Sequence, residues 1–257
     1  MIKKYTLRSL VILASITPYI LWQLKIGITI RLGVYEYAPV QLGYAALLML
    51  IVFLMHGREA FRSMGLGGGF VKGFLFALIC TLPMFITSAL TSSIDPKRFS
   101  SWYQFLILIN LTFVAGFFEE FFFRGFLFGQ LFRYCRWGFF PAVLLQCVLF
   151  GLVHLLQGYD LLSSLSVMLV TALGGIFFAW VYVESGFNLW CSIFLHALMN
   201  LSWLMFTADH LGAVGNISGN IARAVTVCIA IGMIIIKKRT NKEAFFLSKK
   251  NRFISSE

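Results

Sequence analysis

Long apolar stretches dominate this 257-residue sequence. Hydrophobic residues make up 60% of it and charged residues only 12%, which is typical of integral membrane proteins. Several stretches reach the roughly 18 apolar residues with which an α-helix crosses a bilayer. We therefore predict an all-α, polytopic membrane protein with about eight transmembrane helices in one bundle. The helices are expected near residues 7–24, 38–55, 70–93, 102–134, 138–157, 161–184, 187–206 and 217–236.

The Lys and Arg residues predict the orientation of the chain in the membrane. The formal net charge is +11, and if the N-terminus is inside, fifteen basic residues fall in cytoplasmic segments and four in the opposite loops. An even number of spans and this charge bias predict that both termini are cytoplasmic, in a plasma or inner membrane. The basic tail from Lys237 is expected to be partly disordered and to bind anionic lipids. No nucleic-acid partner is expected, because the basic residues form no face interleaved with aromatic residues.

Three regions follow from this organisation. Residues 1–101 are expected to hold N-terminal transmembrane helices with an interfacial segment, residues 102–206 a core, and residues 207–257 the last span and the basic cytoplasmic tail. GREAFRSM and the GLGGGF that follows it at residues 65–70 predict the interfacial segment and a flexible joint. The five cysteines are isolated, so apolar packing is expected rather than disulfide or metal chemistry.

Three ionisable groups lie inside one apolar stretch, FFEEFFFRGF at residues 117–126. A charge at mid-bilayer costs about 2.5–3.5 kcal/mol, and each Phe returns only about 0.3–0.6 kcal/mol, so these groups need partners. Glu120 and Arg124 are four residues apart and can pair along one helix face. Glu119 points about 100° away, onto the face of Gly116, where another helix can approach closely. A purely structural interhelical ion pair remains the alternative to a functional site.

Two other predicted spans carry polar residues. FGLVH at residues 150–154 ends in His154, and CSIFLHALMN at residues 191–200 places Ser192, His196 and Asn200 on one helix stripe. A lone histidine is often a satisfied core residue, and interhelical hydrogen bonding also accounts for the stripe. By helix rise, Glu119 and His154 lie about 21–24 Å from the cytoplasmic end and His196 about 14 Å, so a common site stays open.

The motifs EEFFFR, FGLVH and HALMN occur in the order of EExxxR, FxxxH and HxxxN in a family of membrane proteases. The chain resembles the CPBP (CAAX-processing and bacteriocin-processing, or Abi) intramembrane proteases, and is similar to type II CAAX prenyl endopeptidases. The resemblance implies that residues 102–206 form the catalytic core. It also implies that Glu119 and His154 activate a water molecule, while His196 and Asn200 stabilise the oxyanion. The short loops are typical of a bacterial member.

The supporting residues and the cofactor are expectations of the same kind. Glu120 and Arg124 are expected to hold the helix face that directs Glu119, although Arg124 could instead meet a substrate carboxylate. Glu119, His154 and His196 could form a zinc site, because two His and one Glu are a known catalytic ligand set. The sequence has no HExxH, so we favour water activated by glutamate and leave zinc open.

Two function classes compete at this point. The first is an endopeptidase that hydrolyses a peptide bond of a membrane-associated or lipidated peptide or protein. The second is a proton-coupled transporter in which Glu119, Glu120 and the histidines relay protons. The sequence shows no pair of broken helices in matching halves, which disfavours a transporter built from inverted repeats. A non-catalytic immunity or scaffold protein on the same fold is a third alternative.

Overall fold

The computed structural model describes residues 9–17, 38–157, 160–207 and 217–254. Within these residues the chain forms eight main helices and no strand, which confirms the predicted all-α class. The helices are α1 (residues 9–17), α2 (Ala38–His56), α3 (Phe70–Thr91), α4 (Trp102–Tyr134), α5 (Phe139–His154), α6 (Leu161–Glu184), α7 (Leu189–Leu204) and α8 (Ile217–Thr240). Most bounds lie within three residues of the predicted ones. The rest of the first predicted span, 7–24, lies outside the described residues.

The helices have the length and hydropathy of a multi-pass membrane protein. Among the described residues, five helices are long and apolar enough to cross a bilayer, namely Leu42–Ser63, α3, α4, α6 and α8. The helices α5 and α7 are apolar but have only 16 residues each. Helix α7 packs on α3 and α4, whereas α5 packs on α6. The two short helices, which carry His154 and His196, are therefore held inside the bundle by longer neighbours.

Helix α4 contains two π-helical segments. Asn110–Val114 and Phe121–Phe128 are π-helical, and the segments between and after them are α-helical. A π-turn is rare and often marks a functional site, because it re-aims the side chains that follow it. In α4 the second π-segment begins directly after Glu120, so the EEFFFR motif spans the change in winding.

One end of the bundle, here called the tail face, carries the loops before α3, α5 and α7. The GLGGGF segment lies there, with Gly65 and Gly69 at positive φ angles of 82° and 78°. The backbone N–H of Leu189 donates to the Gly65 carbonyl, and the Asn188 side chain donates to the Gly69 carbonyl, both at 3.0 Å. The expected flexible joint is therefore wrong: the segment is a packed turn that holds the start of α7.

The C-terminal tail also packs against the tail face. The buried carboxylate of Glu184 pairs with Lys238 at 2.9 Å. It also accepts hydrogen bonds from the backbone N–H groups of Phe246 and Leu247, at 3.0 and 2.8 Å. The ion pair and the two backbone hydrogen bonds thus hold the tail in place where it leaves α8. The expectation of a partly disordered tail is wrong for the described residues, which reach residue 254.

The end of the tail caps helix α5. The backbone N–H groups of residues 138–140 donate to the carbonyls of residues 251–253, at 2.8–3.1 Å. These N–H groups begin a helix and have no partner within it. A Cβ atom at Gly138 would lie 2.1 Å from the backbone of Phe253, so only glycine permits the contact. The tail therefore supports the helix that ends in His154.

The opposite end of the bundle, here called the mouth face, carries the loops that follow α3, α5 and α7. Backbone hydrogen bonds join the first and third of these loops, from Thr207 to Ser93 at 2.8 Å and from Asp95 to Met205 at 2.9 Å. Helix α6 begins there with a capping box formed by Asp160 and Ser163. The backbone N–H of Ser163 lowers the pKa of the Asp160 carboxyl below its ordinary value.

Candidate active site

A cavity of about 420 Å³ lies between α3, α4, α5, α6, α7 and α8. Its lining includes the four predicted catalytic residues Glu119, His154, His196 and Asn200. The lining also includes residues at or beside the ends of α3, α5 and α7, so the cavity reaches the mouth face. The structure thus brings together side chains from three helices whose common depth the sequence left open. The basic tail lies at the other end of the bundle.

Glu119 lies at the centre of this group. Its Oε2 atom is 3.6 Å from Nε2 of His196 and 4.0 Å from Nε2 of His154. The side chain is 30% exposed, whereas Oε2 itself is buried and makes no hydrogen bond within the described residues. A buried carboxylate oxygen without a donor is costly, so the position calls for a water molecule or a cation.

The hydrogen bond of His154 shows which ring nitrogen carries the proton and which one can accept. Nδ1 lies 2.8 Å from the backbone carbonyl of Phe150. A carbonyl oxygen only accepts, so Nδ1 must carry the proton and donate. In the neutral ring the lone pair is then on Nε2, which points towards Glu119. His154 therefore presents an acceptor, suited to hold a water proton or a metal ion.

The hydrogen-bond partner of His196 is a carboxylate. Its Nδ1 lies 2.8 Å from Oε1 of Glu120, which also accepts a hydrogen bond from Nη1 of Arg124 at 2.9 Å. Arg124 only donates, so Oε1 of Glu120 accepts from it, and in this arrangement Nδ1 of His196 donates to the same oxygen. Glu120 and Arg124 thus form the predicted intrahelical pair. The sequence did not predict that Glu120 also holds His196.

The donor types at the centre fit zinc, but the spacing is wide. Two nitrogens and one carboxylate oxygen are a known zinc ligand set, and ligands of a tetrahedral zinc lie about 3.3–3.6 Å apart. The 3.6 Å separation meets that range, and the 4.0 Å separation exceeds it. In the described part of the chain no group of three His, Cys, Asp or Glu side chains has the spacing of a formed metal site.

Close helix approach holds α7 against α4. A Cβ atom at Gly116 would lie only 3.1 Å from the backbone nitrogen of Ala197, the residue after His196. The small residue predicted to admit another helix therefore does so. Gly151 likewise faces α6, where its Cβ would lie 3.0 Å from the Met168 side chain. A glycine three residues before EEFFFR and one within FGLVH thus set the distances to the neighbouring helices.

Aromatic rings cover the polar groups, and one of them was missed from the sequence. The Phe178 ring on α6 stacks on His196, with centroids 5.3 Å apart and an angle of 18°. The guanidinium of Arg124 lies 4.4 Å from the Phe150 ring and 5.3 Å from the Phe178 ring. These contacts add cation–π attraction to the ion pair. Nothing in the spacing of α6 marked Phe178, because it belongs to an apolar stretch of that helix.

The same packing excludes one of the roles considered for Arg124. Its side chain is 0% exposed and does not line the cavity. Its Nε and Nη2 atoms have no hydrogen-bond partner in the described residues, and neither has the amide of buried Gln146. Both side chains border Gly175, where a Cβ would lie 3.0 Å from Gln146 and 3.5 Å from Arg124. A substrate carboxylate therefore does not reach Arg124 in this arrangement.

Comparison with known proteins gives one family match, which covers the segment that carries these residues. Residues 101–202 match the model of the family described as Type II CAAX prenyl endopeptidase Rce1-like. The matched segment contains Glu119, Glu120, Arg124, His154, His196 and Asn200. The comparisons with curated proteins and with solved structures found no match. The family implies a peptidase that acts on a peptide or protein substrate in the membrane, and so supports an intramembrane protease of the CAAX type. The resemblance to the CPBP proteases is thereby confirmed for the core: residues 101–202 of this multi-pass membrane chain match the model of the type II CAAX prenyl endopeptidase (Rce1-like) family.

Proposed function

We propose that this chain is an intramembrane endopeptidase in which Glu119 activates a water molecule for attack on a peptide bond. The observation that carries the proposal is the convergence of Glu119 Oε2 with the Nε2 atoms of His154 and His196, at 4.0 and 3.6 Å, in the wall of a cavity. A water molecule fits this position, because it can donate to both Oε2 and the His154 lone pair.

The reaction then needs one proton acceptor and a set of donors. Glu119 accepts a proton from the water as the water oxygen attacks the carbonyl carbon. Asn200 and a protonated His196 donate hydrogen bonds to the oxyanion that forms. The proton on Glu119 next moves to the leaving nitrogen, and the carbon–nitrogen bond breaks. Each group acts within reach of the cavity, which all three side chains line.

Glu120 and Arg124 act through position and charge. The carboxylate of Glu120 binds Nδ1 of His196 at 2.8 Å and so stabilises a positive charge on that ring. Arg124 compensates the charge of Glu120 from the same helix, at 2.9 Å. The pair therefore keeps the charge on His196 available while remaining out of contact with the substrate.

The zinc alternative uses the same residues. If Zn²⁺ binds, Glu119, His154 and His196 would hold it, and it would supply Lewis-acid activation of the attacking water. Because Nδ1 is the donor in each ring, the neutral form of each histidine would leave its Nε2 atom available as a ligand.

The cavity position also bears on the side of access. It reaches the mouth face, at the end of the bundle opposite the basic tail. If both termini are cytoplasmic, as the charge distribution predicts, the mouth faces the other side of the membrane. A substrate would then enter from that side or laterally from the bilayer.

The test compares wild type with Glu119→Gln, using Glu59→Gln as a matched control at an exposed position. Membrane peptidomes from expressing cells should contain a peptide that appears with wild type and the control but not with Glu119→Gln. Rates on that peptide should fall about 10²- to 10⁴-fold in Glu119→Gln, the usual contribution of a general base. Unchanged cleavage by an inserted Glu119→Gln protein would overturn the proposal, and pH-driven flux without cleavage would favour the transporter.

Metal analysis completes this experiment. We expect purified wild type to retain activity after treatment with a chelator, because Glu119 itself takes the proton. Stoichiometric zinc in wild type, lost from both His154→Ala and His196→Ala, would replace the glutamate mechanism with a zinc mechanism.

A further inference from the structure

We propose that the C-terminal tail, residues 241–254, forms a docking surface for the anionic headgroups of the lipid bilayer. The tail lies on the tail face, its described residues do not line the cavity, and it does not depend on the proposed protease activity. It also lies outside the segment 101–202 that matches the family. Its place at the bilayer boundary, its fixed conformation, its charge and its exposed apolar side chains support this role.

Helix α5 marks where the tail meets the bilayer. The side chains of Phe140, Leu144 and Val148 recur every four residues and are exposed, so they form an apolar stripe along one face of the helix. An exposed apolar stripe on a membrane-spanning bundle faces lipid. The stripe begins at Phe140, whose ring centroid lies 5.4 Å from that of Phe253 in the tail. The tail therefore crosses the end of a lipid-facing surface, at the level of the headgroups.

Hydrogen bonds hold the tail in one conformation along this boundary. Glu184 binds the backbone near its start, and the first N–H groups of α5 bind the carbonyls of residues 251–253. Between these anchors the Asn251 side chain closes a turn, because it donates to the Phe246 carbonyl at 2.6 Å and accepts from the Ser248 N–H at 2.9 Å. A segment that is already ordered loses little conformational freedom when it binds.

The exposed charged groups of the tail are mainly basic. Lys249 and Lys250 lie in the turn, Arg252 follows it, and all three side chains are exposed. Glu243 is the exposed acidic residue among the described residues from 237 onward, whereas six basic residues are exposed there. Each basic side chain near an anionic lipid surface strengthens the attraction about five-fold. The segment thus complements the charge of anionic phospholipids.

Exposed apolar side chains lie among these cations. Phe245, Phe246, Phe253 and Ile254 are 40–72% exposed. Apolar side chains beside basic ones are typical of segments in the membrane interface, where the rings enter the acyl boundary and the cations meet the headgroups. A soluble anion would meet only the cations and leave the rings in water. The combination therefore favours a bilayer surface over free phosphate as the partner.

Lipid binding should stabilise the start of α5 through the tail. A partner that binds the docked tail and not the detached one favours the docked state by mass action. The docked tail caps the N–H groups of residues 138–140, so their hydrogen exchange reports how often it detaches. If both termini are cytoplasmic, as the charge distribution predicts, the tail face meets the leaflet that carries anionic lipids.

The test measures hydrogen exchange of the full chain in nanodiscs of phosphatidylcholine with and without phosphatidylglycerol. Exchange at residues 138–140 should be about 10- to 100-fold slower with phosphatidylglycerol, because three basic side chains contribute about five-fold each. High salt should remove the difference, since it screens exposed charges. The N–H of Thr207, which donates to Ser93 at the mouth face, is the internal reference and should exchange equally in both lipids.

A tail variant assigns the effect to the three basic residues. It combines Lys249→Gln, Lys250→Gln and Arg252→Gln, which leave the backbone hydrogen bonds of the tail in place. In both kinds of nanodisc, its residues 138–140 should exchange at the rate that wild type shows in phosphatidylcholine. An equal lipid effect in this variant and in wild type would overturn the proposal.

A charge-matched control distinguishes the tail from the surface as a whole. Exposed basic residues at the same end of the bundle, but outside the tail, are replaced by Arg58→Gln, Arg62→Gln and Lys72→Gln. This variant should keep the full lipid effect, and its loss here would overturn the proposal in favour of a general surface charge. Equal slowing by inorganic phosphate in phosphatidylcholine nanodiscs would also overturn it, because it would indicate a site for a free anion. Since no arm requires cleavage, the outcome is independent of the endopeptidase proposal.

Discussion

Replacing Glu120 with alanine should destabilise the protein by about 3–5 kcal/mol, because it removes one partner of a buried ion pair. Both side chains of the pair are 0% exposed, and the Nη1–Oε1 distance is 2.9 Å. The variant leaves the Arg124 charge buried without its carboxylate and takes the acceptor from Nδ1 of His196. A loss of this size is a large part of the roughly 5–15 kcal/mol by which folded domains are stable.

The double variant Glu120→Ala/Arg124→Met separates the stranded charge from other effects. It removes both charges, and replacing a whole buried pair by apolar groups is often close to neutral. The unmet donor on His196 remains and costs about 1–3 kcal/mol. The double variant should therefore be more stable than the single one. If Glu120→Ala alone is the more stable of the two, the stranded-charge argument is wrong.

The cysteines provide the assay. Cys80, Cys147 and Cys191 are free and buried, so a thiol-reactive fluorogenic dye reports unfolding in detergent. The matched control is Glu59→Ala, whose pair with Arg62 is exposed at 62% and 77% and contributes at most about 1 kcal/mol. Loss of stability in Glu120→Ala no greater than in this control would refute the reasoning.

Two further predictions concern the packing around the site. Gly116→Leu should abolish cleavage in membrane assays while the protein remains inserted, because even a Cβ at this position would lie 3.1 Å from the α7 backbone and a leucine would push α7 away from α4. Gly232→Leu is the control, since a Cβ there would have no atom within 4 Å. Glu184→Ala should speed hydrogen exchange at the N–H groups of residues 138–140, because the tail that caps them loses its anchor. The control, Glu243→Ala at an exposed position, should leave this exchange unchanged, and equal exchange in the two variants would contradict the role of the tail.

The spans could be predicted from the sequence because the free energy of transfer into lipid alone largely decides where they lie. A stretch such as 161–184 has a high apolar content and lies between polar breaks, so its transfer into lipid fixes its helical state and its bounds. The π-segments of α4 could not be predicted this way, since winding inside a span depends on the helices packed around it. The packing of the tail could not be predicted either, because it depends on hydrogen bonds from the tail backbone to Glu184 and on the cap that the tail forms on α5. Neither contact has a local sequence signal.

The site could be predicted in its parts but not in its assembly. Helical spacing correctly paired Glu120 with Arg124 and turned Glu119 towards the Gly116 face. Helix rise placed His196 about 7–10 Å nearer the tail face than the other two residues. In the structure, however, His196 lies 3.6 Å from Glu119, because α7 is short and starts inside the bundle behind the packed glycine turn. A depth counted along a single helix does not include this displacement, because contacts between helices determine it.

The two adjacent glutamates are best explained by the balance of charge in the apolar interior. Glu119 and Glu120 are negative and Arg124 is positive, so the cluster is neutral when His196 is protonated, the state in which both ring nitrogens donate. Glu120 is fully buried and holds both cations, whereas Glu119 is 30% exposed and borders the cavity. Removing Glu120 therefore strands a buried charge and should act on folding, while removing Glu119 leaves the Glu120–Arg124 pair intact and should act on the reaction. A chain with one carboxylate at this position could not serve both purposes, because the group that compensates Arg124 would also have to accept the proton of the water.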